Sequence, residues 1–178
     1  MAKLYLICGK LCSGKTHYAR ALARRTGAVL FSCDELMLRL FPEYLGDDHD
    51  RISAAARAYL LDMALAVARA GTGAILDWGF WSAADRQAIT AQILAAGCAP
   101  EWHYIDVSDE DWQRNIRNRN EEAARGDTLA YHADEGLIGK CLSAFEVPRR
   151  EEIDVWVRPE RGQMTEGPSP CHLSPFTT

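Results

Sequence analysis

The sequence predicts an α/β fold in which a five-stranded, mainly parallel sheet carries helices on both faces. Short apolar runs alternate with segments of helical spacing along most of the 178 residues, and this alternation produces parallel strands covered on either side. A glycine-containing turn also joins the first apolar run to the first helical segment, as in strand-turn-helix units that bind phosphate. The predicted strands are residues 4–8, 28–33, 74–77, 101–107 and 153–157.

The predicted helices follow these strands in order. The third helical segment begins at Ser82, a favoured N-cap residue, and ends at Gly97. The alanine-rich segment before it stops at the Gly71-Thr72-Gly73 turn. The other boundaries follow from the spacing of apolar residues. The helical segments are residues 16–25, 51–70, 82–97, 109–124 and 134–145.

Length and composition predict one domain with a C-terminal tail. A chain of 178 residues that is 48% hydrophobic fills one core and is short for two. We expect residues 1–158 to form the domain. Residues 159–178 read as a flexible tail without chemistry, because they have little apolar content and are interrupted by glycine and proline.

Charge and cysteine usage limit the partners and the compartment. The net charge of −5 offers no general attraction for nucleic acid or an anionic membrane, although a local basic groove stays open. The apolar run after Lys3 is too short for a signal peptide or a membrane span. Six cysteines without a C-x-x-C pair are expected to be buried free thiols. We therefore expect a cytoplasmic protein, as a monomer or a homodimer.

The turn after the first strand matches the Walker A pattern at every fixed position, since it reads GKLCSGKT. Backbone N–H groups in such a turn form an anion-binding nest, and the following helix adds the positive end of its dipole. We expect Lys15 to reach the β- and γ-phosphates of ATP and the Thr16 hydroxyl to ligate Mg²⁺. The predicted nucleotide-binding residues of this loop are Gly9, Leu11, Cys12, Ser13, Gly14, Lys15 and Thr16.

Carboxylates stand at the ends of two further strands, where open α/β sheets bind their ligands. Asp34 follows the second strand and Asp77 ends the third. Beside a bound magnesium nucleotide, a carboxylate either holds the water shell of the metal or takes a proton from an incoming hydroxyl. Asp77 resembles a Walker B aspartate, which predicts metal support. For each aspartate the alternative is a helix N-cap, and this alternative is strongest for Asp34.

Three aromatic residues, Trp78, Phe80 and Trp81, surround Gly79 after the third strand. They can belong to the ordinary core, as most aromatic residues under a helix-covered sheet do. In a strand-to-loop passage they can equally form an apolar wall for a planar or hydrophobic acceptor. The sequence leaves both interpretations open, and the second applies most to Trp81.

The helix after the fourth strand carries three arginines. Arg114 and Arg117 share one face, whereas Arg119 projects elsewhere with Asn115. A guanidinium remains ionised and forks onto phosphoryl oxygens, so we expect at least one of the three to contact the nucleotide, on its phosphates or its base. The alternative is a solvated helix face with salt bridges to neighbouring acidic residues.

Together these motifs resemble the small P-loop kinases grouped with zeta toxins, polynucleotide 5′-hydroxyl kinases and chloramphenicol phosphotransferase. GKLCSGKT resembles their phosphate loop, FSCDELMLRLFP their strand-end aspartate, and AILDWGFWSAADR their third strand and following helix. WQRNIRNRNEE, with its Arg119-Asn120 pair, and LSAFEVPRREE are similar to the lid helix and the segment after it in bacterial ATP-binding members. The resemblance spans Leu4 to about Val157 and implies a P-loop NTPase fold, nucleoside-kinase-like, with a helical lid.

The resemblance implies an ATP- and Mg²⁺-dependent phosphotransferase that acts on a hydroxyl of a small molecule. Asp34 then binds and deprotonates the acceptor, and Arg119, with Arg114 or Arg117, closes over the transferred group. Polynucleotide kinases place an arginine where Met37 stands here, which argues against recognition of a nucleic-acid end. Alternatives stay open: a zeta-toxin-like or polynucleotide kinase, an NTP hydrolase, or a nucleotide-sensing module.

Overall fold

The computed structural model describes residues 2–43, 45–125 and 133–159, which contain the predicted five-stranded sheet. The strands lie in the order β2-β3-β1-β4-β5, and every neighbouring pair is parallel. The predicted fold class is therefore confirmed, with a sheet that is parallel throughout. The strands are β1 (Lys3–Cys8), β2 (Val29–Ser32), β3 (Ala74–Asp77), β4 (Ala99–Ile105) and β5 (Val155–Val157).

Helices connect these strands, and two short 3₁₀ turns, Gly46–Asp48 and Arg150–Glu152, precede α3 and β5. The second predicted strand was too long, because Cys33 begins a helix instead of ending β2. The α-helices of the described ranges are α1 (Lys15–Thr26), α2 (Cys33–Leu40), α3 (His49–Arg69), α4 (Ala83–Ala95), α5 (Asp109–Arg125) and α6 (Glu135–Ala144).

The core has two main layers because successive side chains of a strand point to opposite faces of the sheet. In β1, Leu4 and Leu6 pack into the larger cluster, which includes Leu61 of α3. Ile7 packs into the smaller cluster on the other face, together with Leu22 of α1. Helices on both faces thus bury a sheet whose central strand is apolar on both sides.

The strand order places two loops side by side at the carboxyl ends of the strands. The chain leaves β1 towards β3 and β2, but leaves β4 towards β5 on the other side. Ligands of open α/β sheets bind in the crevice at such a reversal. The turn after β1 and helix α5 after β4 therefore meet where a ligand is expected.

Several expectations fall partly outside the described ranges. Cys8, Cys33, Cys98 and Cys141 are buried free thiols as predicted, whereas Cys12 is half-buried. Cys171 and the predicted tail after Pro159 lie outside the described residues. Within the part of the chain that the structure describes, none of the helices has the length and apolar character needed to cross a membrane.

Candidate active site

The turn between β1 and α1 has the backbone of an anion-binding nest. Cys12 has φ 58° and Gly14 has φ 90°, and left-handed positions of this kind turn successive N–H groups towards one point. No side chain caps the N-terminus of α1, so its first N–H groups can donate hydrogen bonds to a ligand. An anion placed there gains both these donors and the helix dipole.

Gly9 is required by close packing inside the turn. A Cβ atom at this position would lie 2.6 Å from the Ser13 hydroxyl oxygen and 3.1 Å from the carbonyl oxygen of Ile105. The first distance is too short for a Cβ atom unless Ser13 shifts, and the second is tight. Ser13 is completely buried beneath the turn. The first glycine of the motif therefore lets the turn fold against the end of β4.

The side chain of Lys15 lies across the turn between β1 and α1. Its Nζ donates hydrogen bonds of 2.9 Å to the carbonyl oxygens of Gly9 and Lys10. Burial lowers the pKa of Lys15, while the nearby carboxylates of Asp77 and Asp34 act in the opposite direction. A positive charge held in a partly desolvated turn is suited to a phosphate oxygen.

Asp77 lies in the floor of the site, beside Lys15. It is paired in register with Ile7 of β1 and Ser32 of β2 and is only 3% exposed. Its Oδ2 atom has no hydrogen-bond partner within the described residues. Burial raises the pKa of this carboxyl, and hydrogen bonding by the Thr16 hydroxyl opposes that rise. Since α4 has Ser82 as its N-cap, the capping alternative for Asp77 is wrong.

Asp34 is exposed in the first turn of α2. The N-cap of this helix is Ser32, whose hydroxyl accepts a hydrogen bond from the Glu35 N–H at 3.4 Å. The alternative that made Asp34 a cap is therefore wrong, because the cap lies two residues earlier. Asp34 forms no hydrogen bond or ion pair with any residue that the structure describes.

A cavity of about 1040 Å³ brings some of the predicted residues together, whereas Thr16, Asp77 and Arg119 are not among the described residues that line it. Lys15 and Asp34 line it with Trp78, Phe80 and Trp81. Trp78 and Phe80 belong to the core, at 4% and 2% exposure, as the first interpretation predicts, and the role of the cluster as a wall for an acceptor stays a prediction. The remaining lining residues come mainly from α3, α4 and α6: Leu11, Cys33, His49, Asp50, Ser53, Arg57, Ala58, Leu61, Gly79, Asp85, Ala88, Ile89, Gln92, Asp134, Gly136, Leu137 and Lys140.

A buried arginine holds the aromatic segment in place. Arg86 is 2% exposed and donates Nε to Glu152 Oε2 at 2.9 Å. Its NH1 group contacts the carbonyl oxygens of Phe80 and Trp81 at 3.3 Å and of Glu146 at 3.1 Å. Sequence reasoning missed Arg86, because a charged residue in a helix is usually exposed.

The structure distinguishes the three arginines of α5. Arg119 is half-buried, and its NH1 group lies 3.8 Å from the Cys12 sulfur in the phosphate loop. Asn115 lies on the same side and donates Nδ2 to the Cys12 carbonyl oxygen at 3.0 Å. Arg114 and Arg117 are exposed, and Arg114 pairs with Asp111. Within the described residues, Arg119 is therefore the arginine of the three that lies against the loop, and its contact with a nucleotide stays a prediction.

Helix α5 is fastened to the phosphate loop by further contacts that the sequence did not reveal. Trp112 donates Nε1 to the Leu11 carbonyl oxygen at 2.6 Å, and Lys10 Nζ lies 4.5 Å from the centre of the Trp112 ring. Asn120, next to Arg119, exchanges two hydrogen bonds with the backbone of Ala133. The Arg-Asn pair thus faces the loop with one residue and anchors the chain before α6 with the other.

Comparisons with solved structures agree with this architecture. A candidate kinase from Chloroflexus aurantiacus J-10-fl has a TM-score of 0.70 at 18% identity, covering 93% of this chain and 92% of that chain. The APS kinase of Mycobacterium tuberculosis, in complex with AMPPNP and APS, has a TM-score of 0.63 at 20% identity, covering 90% of each chain. A chain of the Pnkp1/Rnl/Hen1 RNA repair complex has a TM-score of 0.64 at 18% identity, covering 80% of this chain and 43% of that one.

A comparison with curated proteins finds no match. The family model AAA_33, described as an AAA domain, matches residues 4–148. These residues contain β1 except for its first residue, β2 to β4, the phosphate loop and the six α-helices of the described ranges. The predicted resemblance to a small P-loop kinase group is confirmed. The chain therefore belongs to the AAA_33 family, and its fold is that of the small P-loop kinases.

Proposed function

We propose that this protein transfers the γ-phosphate of ATP to a hydroxyl of a small molecule in a Mg²⁺-dependent reaction. The observation that carries the proposal is the shared cavity, which Lys15 of the phosphate loop and the carboxylate of Asp34 both line. A phosphate donor bound at the loop and an acceptor bound in the cavity would then meet at Asp34. Phosphoryl transfer depends mainly on such positioning and on charge stabilisation.

The phosphate loop supplies the donor site. The N–H groups of the turn and of the first turn of α1 bind phosphate oxygens, and Lys15 exchanges its two carbonyl contacts for the β- and γ-phosphates. Arg119 already lies beside the loop and contributes a second positive charge over the transferred group. Arg114 and Arg117 either contact the base of the nucleotide or stay exposed to solvent.

The residues present fit a magnesium ion. Thr16 offers a hydroxyl, and Asp77 offers a buried carboxylate oxygen that has no hydrogen-bond partner among the described residues. Among the described residues, no group of three or more His, Cys, Asp or Glu side chains forms a metal site by itself. Mg²⁺ is commonly held by one or two protein oxygens together with waters and substrate phosphates. When bound, it neutralises charge that develops on the phosphate oxygens.

Asp34 acts on the acceptor. Its carboxylate accepts the proton of the acceptor hydroxyl as the acceptor oxygen forms a bond to the γ-phosphorus. The bond between that phosphorus and the β–γ bridging oxygen breaks, and ADP leaves with the electron pair. No residue of the chain needs to form a covalent intermediate, so Cys12 has no chemical part in this step.

A polynucleotide end is the second candidate acceptor, because one structural neighbour belongs to an RNA repair complex. The polynucleotide kinases that this chain resembles have an arginine three residues after the corresponding aspartate. Met37 occupies that position here, and it is 2% exposed in the core. Since this side chain packs inward and carries no charge, we favour a small molecule.

We propose the cytoplasm as the site of action. The buried cysteines are free thiols, which suits a reducing compartment that also supplies ATP. The acceptor chemistry does not depend on whether the protein is a monomer or a homodimer.

A screen of hydroxylated compounds tests the proposed function. ADP release is measured for wild type with and without each compound, and 5′-hydroxyl oligonucleotides are included as a separate arm. We expect at least one small molecule to raise ADP release above the rate with ATP alone, and Lys15→Ala to abolish the increase. Stimulation by oligonucleotides alone would favour the second candidate. A rate that no acceptor changes would contradict the proposal and favour a hydrolase.

A further inference from the structure

The guanidinium of Arg57 lies on the acceptor side of the cavity, and the proposed phosphate transfer gives it no role. Arg57 lies on α3, and it lines the cavity together with Ser53 and Leu61. Residues four positions apart lie on the same face of a helix. These three side chains therefore form one continuous stripe of α3 that faces the cavity.

This stripe lies next to the proposed base. The Cys33 sulfur lies 3.9 Å from the Ser53 carbonyl oxygen, so the first turn of α2 packs against the turn of α3 that precedes Arg57. Burial raises the pKa of the Cys33 thiol to about 11, and the positive charge of Arg57 is close enough to oppose the rise. Asp34 follows Cys33 directly, which places the base and the guanidinium on neighbouring walls of the same cavity.

Arg57 is half-buried, yet none of the residues that the structure describes forms an ion pair with it. Two other cations of this region are already paired with carboxylates. Arg86 binds Glu152 at 2.9 Å, and Lys140, the other cation on this side of the cavity, binds Asp50 at 3.0 Å. A partly desolvated guanidinium without a counter-ion is unfavourable by itself. It becomes favourable when a ligand supplies the anion.

We infer that Arg57 binds an oxyanion group of the phosphate acceptor, so that the acceptor class is a hydroxylated carboxylate or phosphate ester. The planar guanidinium forks onto two oxygens of either group. Leu61, Phe80 and Ile89 line the same cavity and contact the carbon skeleton of the acceptor. Arg57 itself makes and breaks no bond; it determines which molecules place a hydroxyl at Asp34. This inference rests on the proposed function for the identity of the ligand as an acceptor.

The first test measures binding without turnover. Enzyme saturated with Mg²⁺ and AMPPNP, which fills the phosphate loop, is titrated with D-gluconate and glycerol 3-phosphate and with their neutral counterparts D-glucitol and glycerol. Intrinsic tryptophan fluorescence reports binding, since Trp78 and Trp81 line the cavity. We expect at least one anion to bind more tightly than its neutral counterpart. The carboxylate and phosphate arms identify which oxyanion is preferred.

Two arginine variants of the same helix provide the control. Arg57→Gln is expected to weaken binding of the anion by about 10- to 100-fold, the range for a charge-assisted hydrogen bond. Arg69→Gln removes the same charge from an exposed position three turns further along α3 and is expected to change nothing. Arg57→Lys should keep part of the affinity. Equal binding by Arg57→Gln and wild type, or no preference for any anion, would overturn the inference.

The second test separates this inference from the proposed function. With an acceptor in hand, Arg57→Gln should raise the KM for the acceptor by a similar factor, with the KM for ATP unchanged. Anion binding that depends on Arg57 but produces no ADP would contradict phosphate transfer and leave the oxyanion site standing. Phosphorylation of a neutral polyol with the same KM in Arg57→Gln would overturn the oxyanion site and leave phosphate transfer standing.

Discussion

Replacing Arg86 by methionine tests whether this buried arginine holds the aromatic wall of the cavity. Methionine keeps an unbranched stem but removes the charge, so the Glu152 Oε2 atom loses its ion pair and three carbonyl oxygens lose the hydrogen bond from Arg86. Removing one member of a buried ion pair costs about 3–5 kcal/mol. The Glu152 side chain is 17% exposed and therefore partly solvated, which favours the lower end of this range.

This cost translates into a large change in thermal stability. In a domain of this size 1 kcal/mol corresponds to about 2–4 °C in Tm, so Arg86→Met should lower the Tm by about 6–20 °C. Arg149→Met is the matched control, because Arg149 contacts the same Glu152 from a side chain that is 73% exposed. An exposed pair contributes about 0–1 kcal/mol, so that variant should melt within about 4 °C of wild type. Equal Tm values for the two variants would refute the conclusion that Arg86 holds the aromatic wall of the cavity.

Three further predictions concern the loop, the lid helix and a buried histidine. Lys15→Ala should abolish transfer and weaken binding of a fluorescent ATP analogue, and unchanged affinity and turnover would exclude the phosphate-loop assignment. Arg119→Ala should lower kcat by about 10²- to 10³-fold, whereas Arg114→Ala should change kcat little. Negligible effects of both variants would show that the arginines of α5 form a solvated helix face without a part in transfer. Burial lowers the pKa of His103 below its ordinary value of 6.5, so the unfolded chain binds the proton more readily in the window below that value. Stability should therefore fall as the pH falls below about 6.5, and the Tm at about pH 5.5 should be lower than the Tm at about pH 6.5. His103→Gln should reduce that drop, and a Tm that rises on acidification would contradict this reasoning.

The parts of the site that lie close together in sequence could be predicted without a structure. The Walker A motif predicts a turn between a strand and a helix, and the structure has this turn between β1 and α1 with Lys15 at the start of the helix. For Asp34, by contrast, the local sequence does not determine whether the residue caps a helix. Ser32 and Asp34 are both good capping residues, and only the structure shows that the Ser32 hydroxyl accepts the Glu35 N–H.

Residues that act across the fold could not be predicted in this way. Arg86 becomes buried because Glu152 and Glu146 approach from the far end of the chain. Arg57 faces the cavity because α3 packs beside α2, whereas Arg69 on the same helix is exposed. Helical geometry did place Arg119 and Asn115 on one side of α5, where both contact Cys12, but the contact of Arg119 with a nucleotide stays a prediction.

The most direct measurement of phosphate transfer follows the γ-phosphate itself. ATP labelled with ³²P at the γ-position is incubated with an acceptor from the screen and either wild type or Asp34→Asn, and the labelled products are separated. With wild type the label should move to the small molecule, and Asp34→Asn should slow this transfer by about 10²- to 10⁴-fold while keeping the affinity for an ATP analogue. Because Ser32 caps α2, asparagine should leave the helix intact. Label that appears only as inorganic phosphate, or full transfer by Asp34→Asn, would contradict the proposed mechanism.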